Sequence, residues 1–168
     1  MMSVSVPGSR KIVVGQPLLS RLGKRERNCP LPEIRSVCLR RNQGLSLLQG
    51  GKSVVYATDG EHEYDCLDDS YPFVEFCRST DLLIFDAMYS FGDTVSVKEH
   101  WGHSSNVVAV ELAQAAQVKR LALFHHDPVL DDPMLEVVLA DTMRFERISR
   151  LGEKVDVISA YDGLELTI

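Results

Sequence analysis

Four side chains stand where strand-like apolar runs give out: Asp59 after "VVYAT", Asp86 after "LLIF", His125 after "LALF", and His103 in "WGHSS", just before a helical pattern. Carboxylate oxygens together with imidazole nitrogens suit Zn, Mn or Fe(II), borderline divalent cations that accept both donors. Open α/β sheets collect their chemistry at the carboxyl ends of strands, which is where these residues fall. Taken singly, each has a plainer reading. A strand-end aspartate often caps a helix or closes a turn, and a loop histidine usually sits on the surface, the reading given to His62 and His100. The run "LALFHHDP" adds His126 and Asp127 before Pro128 closes it.

The elements that must position these groups follow from the patterning. From residue 45 onward short apolar runs alternate with helical periods, the texture of a layered α/β domain. "LSLLQGGKSVVYATDG" predicts two strands around Gly50-Gly51, the second from Ser53 to Thr58. Phe73, Phe76 and Cys77 after Pro72 make one helical face, and Leu82 to Phe85 read as a buried strand. "NVVAVELAQAAQ" reads as a helix capped by Ser104 or Ser105. A further helix begins at Asp131 or Asp132 with Pro133 in its first turn, and "KVDVISAYDGLELTI" reads as a closing strand pair.

The chain has 168 residues, about one domain, in mixed globular proportion. No apolar run approaches the roughly 18 residues of a membrane span, and "MMSVSVPGSRK" lacks the apolar block of a secretory signal, so a cytoplasmic protein without a membrane partner is expected. Cys29, Cys38, Cys66 and Cys77 show no metal or redox spacing and read as free thiols. Charge is uneven: residues 1–45 sum to +7 and the remainder to −13. Residues 1–44 therefore read as an atypical basic segment, disordered or foreign to the fold, and 45–168 as the domain proper. A basic arm can also bind nucleic acid, although no Tyr or Phe precedes Tyr56 to stack on bases.

"VVYATDGEH", "DLLIFDAMY", "WGHSS" and "LALFHHDP", in this order, resemble the C-terminal half of the metallo-β-lactamase superfamily, in the branch of ribonuclease Z and cyclic-nucleotide phosphodiesterases. The resemblance implies part of an αββα sandwich, two divalent ions (Zn, or Mn/Fe) and a phosphodiester substrate. It makes Asp59 the bridging ligand and His125 a ligand to one metal. His103 becomes the group that protonates the leaving oxygen or steadies phosphate charge, and Asp86 stands where the branch carries a glutamate that orients that histidine. His126 and Asp127 are left to outer support and turn chemistry.

The superfamily's H-x-H-x-D-H metal motif has no counterpart here, since the first histidine of the chain is His62. Only Asp59 and His125 carry over as ligands, so a truncated, catalytically incomplete hydrolase is expected, or a metal-poor pseudoenzyme. Half a sandwich would expose an apolar sheet face, inviting self-association through it. Two other classes compete: a non-catalytic interaction module, and a receiver-like signalling domain with Asp86 as phosphoacceptor. The receiver reading lacks an acidic pair upstream and a lysine after "LALF".

Overall fold

A computed structural model describes residues 2–5, 12–14, 33–39, 42–62, 70–90 and 102–168. His100, Cys29, Cys66 and most of the basic residues of the first 45 lie outside these. Six strands form the main sheet in the order β3 (Glu33–Leu39), β4 (Asn42–Gln49), β5 (Lys52–Ala57), β6 (Leu82–Asp86), β7 (Arg120–Phe124), β8 (Asp156–Ser159). β3, β4 and β5 pair antiparallel, and β5 to β8 run parallel. Gly50 and Gly51 make the β4–β5 turn with φ of 60° and 74°, the left-handed pair that a two-residue hairpin needs.

The parallel strands are apolar on both faces, and successive residues serve opposite cores. Val55, Leu83, Phe85, Leu121 and Leu123 face one side, where α1 (Pro72–Cys77), α2 (Asn106–Ala115) and α3 (Asp132–Ser149) lie. Phe73, Val74, Ala109 and Leu112 complete that core. Val54, Leu82, Ile84 and Ala122 face the other side. The period of two and the burial on both faces explain why these strands read as unbroken apolar runs. Ser105 caps α2, its hydroxyl accepting from the Val108 N–H, and Asp131 caps α3 through the Met134 N–H.

The second face is not open, which corrects the expected exposed sheet. A small sheet, in the order β2 (Ile12–Val14), β1 (Met2–Ser5), β9 (Glu165–Thr167), supplies its cover. Met2 and Val4 are fully buried in the same cluster as Leu82, Ile84 and Ala122, with Leu164, Leu166 and Ile168 packed against it. The closing strand pair is corrected too: β8 joins the main sheet and β9 pairs with β1 instead. Gly163, at φ 91°, lies in the turn between them. Of residues 1–44, the described strands join these sheets: β1 pairs with β9, and β3 pairs with β4 over seven positions.

At the end of the sheet away from the strand termini of interest, Asp81 ties three strands together. Its carboxylate accepts the Ser53 N–H at 2.9 Å, Lys119 Nζ at 2.8 Å and Lys52 Nζ at 3.3 Å. Burial alone would raise its pKa, but the bonds from Lys119, Ser53 and Lys52 outweigh that and hold it below the ordinary value. Its contribution to stability is therefore complete above the unfolded carboxylate pKa and is lost only as pH falls through the lowered folded value. Asp81→Ala should cost about 1–2 kcal/mol, since the half-buried Ser53 N–H and two partly exposed ammonium groups lose their acceptor. Urea unfolding at neutral pH measures this, and an unchanged midpoint would contradict it.

Candidate metal and proton-transfer site

β5, β6 and β7 are adjacent and parallel, so their carboxyl ends lie side by side. Asp86 is the last residue of β6, while Asp59 and His125 follow β5 and β7 directly or within two residues. Asp59 and His125 both take the left-handed conformation, with φ of 54° and 59°. Asp and His tolerate this region better than most residues, yet it still costs energy that the surroundings must supply. His103 arrives from the loop before α2, one residue after Gly102, whose φ of 89° suits glycine. One donor atom from each of Asp59, Asp86, His103 and His125 lies within 4.8 Å of all the others.

Asp86 sits at the centre, 0% exposed. Its Oδ2 accepts the Asp59 N–H at 3.0 Å and pairs with His103 Nδ1 at 2.8 Å, and its Oδ1 accepts the Met88 N–H at 3.2 Å. With Nδ1 of His103 held by the carboxylate, Nε2 is the ring nitrogen left to exchange a proton. This burial and engagement remove the receiver-like reading, which needs an accessible aspartate. His125 Nδ1 stands 3.0 Å from Asp59 Oδ1 and 3.4 Å from Asp86 Oδ2. The nitrogen is buried, and neither approach has hydrogen-bond geometry. The rings of His103 and His125 meet edge to face, centroids 4.7 Å apart. Tyr56 nearby has its pKa raised by burial first, opposed by a bond with Thr58, and raised further by the negative charge of Asp59 and Asp86.

A buried imidazole nitrogen without a hydrogen bond, between two carboxylates, is the donor chemistry that a borderline divalent cation accepts. The fit is in kind rather than in number. Asp59 and His125 offer free donor atoms, whereas Asp86 and His103 are committed to each other.

His126 and Asp127 do not join the cluster. His126 Nε2 reaches the Ala160 carbonyl at 3.2 Å and Ser159 Oγ at 3.0 Å, fastening β7 to the end of β8. Burial lowers its pKa; the bond with Ala160 opposes this, and the charge of His125 adds to the lowering. Asp127 makes a turn, its Oδ1 accepting the Val129 N–H at 3.0 Å.

Three residues went unread as parts of the site. Ser104 Oγ donates to the Gly60 carbonyl at 2.8 Å and accepts the His62 N–H at 3.1 Å, while Glu61 Oε2 accepts the Gly102 N–H at 3.2 Å. These bonds lash the loop after Asp59 to the loop that carries His103. His62, expected on the surface, is 5% exposed, stacked among Phe73, Phe85 and Tyr71, with Nδ1 2.8 Å from the Tyr71 hydroxyl. A "Ser-Ser" pair after a site histidine was the available signal for Ser104. None marked the burial of His62.

No family model matches the chain. It is similar to ribonuclease Z of Brevibacillus brevis, 28% identical over 115 residues, which are 66% of this chain and 34% of that one. It is 35% identical over 78 residues to ribonuclease Z of Prochlorococcus marinus, 46% of this chain and 22% of the other. The chain thus spans about a third or less of the length of these curated relatives. Its fold is that of the metallo-β-lactamase fold protein YhfI from Bacillus subtilis, at TM-score 0.50 and 17% identity, covering 77% of this chain and 51% of that structure.

Two outcomes test this geometry. Burial pushes the His62 pKa down to about 3, so the ring takes up a proton on unfolding at any pH between that value and the unfolded pKa near 6.5. Stability should be full above about pH 6.5 and fall by up to about 1.4 kcal/mol per pH unit below it, with His62→Gln flattening the slope. Thermal unfolding from pH 7 to pH 5 reads both. Asp86→Ala leaves Asp59 N–H and His103 without their shared acceptor and should destabilise by about 3 kcal/mol. Denaturant titration that finds Asp86→Ala no worse than His103→Ala would contradict the central place of the carboxylate.

Proposed function

We propose that this ribonuclease Z-like member of the metallo-β-lactamase superfamily carries, in residues 45–168, part of a metal-dependent phosphodiester-hydrolysing site. The observation that supports it is the gathering of four donor atoms within 4.8 Å at the ends of three adjacent strands and one loop. Asp59 and His125 would hold a divalent ion, Zn or Mn/Fe, through Oδ1 and Nδ1. Such an ion, when bound, supplies Lewis acidity toward a phosphoryl oxygen and lowers the pKa of water.

The residues of the chain do the rest. Asp86 accepts Nδ1–H of His103 and orients the ring, so that the imidazolium's other N–H is the one on Nε2. His103 Nε2 then gives a proton to the departing oxygen, whose developing charge would otherwise oppose bond cleavage. The bonds of Ser104 and Glu61 keep this imidazole at a fixed offset from Asp59 while the proton moves. Aspartate at position 86, with its short side chain, does this from the end of a strand rather than from a flexible reach.

The name of the relatives, ribonuclease Z, favours an RNA phosphodiester as the substrate class. The five histidines of this sequence include no H-x-H-x-D-H motif, and among the described residues Asp59 and His125 are the side chains this reading assigns to the ion.

Calorimetric titration with Zn²⁺ and with Mn²⁺, followed by cleavage of bis(p-nitrophenyl) phosphate, tests the assignment. Asp59→Ala and His125→Ala should each weaken metal binding at least tenfold, while His126→Ala leaves it intact. His103→Ala should keep the metal and lower cleavage by about 100-fold or to background. Metal uptake indifferent to Asp59 and His125 would refute the ligand assignment.

A further inference from the structure

His62 is a histidine where packing alone asks for an apolar residue. It lies in a box of rings, its centroid 4.4 Å from that of Phe73, 5.1 Å from Phe85 and 5.8 Å from Tyr71. An imidazole in this setting is stripped of water, and burial keeps it uncharged. A leucine or phenylalanine would fill the box without that cost. A polar side chain kept in an apolar enclosure points to a use other than packing.

The contacts of this one residue identify the use. His62 follows Asp59 by three positions in the same loop. Its ring packs on Phe85, the residue before Asp86. Its N–H donates at 3.1 Å to Oγ of Ser104, the residue after His103. A further contact, from Nδ1 to the Tyr71 hydroxyl at 2.8 Å, ties the ring to the N-cap residue of α1. That helix is set in the core by Phe73, Val74 and Cys77, all fully buried. The loop after β5, the end of β6 and the loop before α2 therefore meet on one side chain, itself fastened to a packed helix. The sheet ladder cannot supply this tie, because β5 ends at Ala57 and His103 is carried by a loop.

We propose that His62 is a positioning residue for the strand-end site, holding Asp59, Asp86 and His103 at their mutual spacing, with the Tyr71 hydroxyl fixing the angle of its ring. Its effect on turnover rests on the reading of the cluster as a hydrolytic cation site; its hold on the two loops does not. Without the hydroxyl the ring turns in its box, and the loop that carries Asp59 shifts with it. A displacement of about 1 Å at reacting groups is enough to cost on the order of 100-fold in rate.

Three variants of the full chain test this. His62→Leu fills the box without a ring nitrogen, Tyr71→Phe removes only the hydroxyl, and His62→Asn places an amide atom where Nδ1 stands. In the metal-free chain the amides of Asp59 and Gly102 should exchange hydrogen at least tenfold faster in His62→Leu and Tyr71→Phe, while those of Leu83 and Leu121 in the core stay unchanged. His62→Asn should regain the protection. With Zn²⁺ and bis(p-nitrophenyl) phosphate, the first two variants should lose at least tenfold in kcat at unaltered KM, and His62→Asn should recover most of that loss. Exchange at Asp59 and Gly102 that is the same in all four chains overturns the proposal. So does acceleration shared equally by Leu83 and Leu121, the mark of a purely structural histidine. A wild-type chain that neither binds Zn²⁺ nor cleaves the diester defeats the cation-site reading, and the exchange pattern then decides the place of His62 by itself.

Discussion

The strand-end cluster depends on one buried carboxylate. Asp86 is closed off from solvent, so its carboxylate must be satisfied by protein donors, and the three that do so define the site. The Asp59 N–H fixes the start of the loop after β5, His103 Nδ1 fixes the ring from the loop before α2, and the Met88 N–H closes the chain's own turn. A charged acceptor in a low-dielectric setting makes each of these bonds costly to lose. The left-handed backbone at Asp59 is held against its own strain by the bond from its N–H to Asp86.

That carboxylate is placed by the least specific part of the sequence. Leu82 to Phe85 are buried on both faces, and their parallel neighbours β5 and β7 share that property. The register pairs Ala57 with Phe85 and Asp86 with Phe124, which brings the polar residues that follow to one edge. Apolar packing thus sets positions to within hydrogen-bonding distance, and Ser104 and Glu61 complete the fit between loops. At the other end Asp81 holds β5, β6 and the start of β7 in the same register.

Local patterns disclosed what local physics decides. The runs "VVYAT", "LLIF" and "LALF" announced strands because burial on both faces leaves no polar position to break them. Ser105, Asp131 and Gly50-Gly51 announced caps and a turn because their own chemistry makes those structures. The grouping of Asp59, Asp86, His103 and His125 followed from strand ends in a parallel sheet. What stayed hidden depends on partners far along the chain. Ser3 meets Glu165 across the small sheet, and no pattern within a window of residues predicts that pairing or the closure of the second face. The tail "DGLELTI" carries the same alternation whether it pairs with β8 or with β1. His62 is a polar residue whose burial is arranged by Phe73, Phe85 and Tyr71, none of them its neighbour in sequence.

As proposed, the strand-end cluster is a cation site of mixed oxygen and nitrogen donors. X-ray absorption at the zinc K-edge, on the full chain loaded with less than one equivalent of Zn²⁺, tests it most directly. The expected spectrum shows a shell of oxygen and nitrogen scatterers at about 2.0–2.2 Å with the outer-shell signature of one imidazole, abolished in His125→Ala. A sulfur shell near 2.3 Å, or a shell of oxygen alone that His125→Ala leaves unchanged, would contradict it.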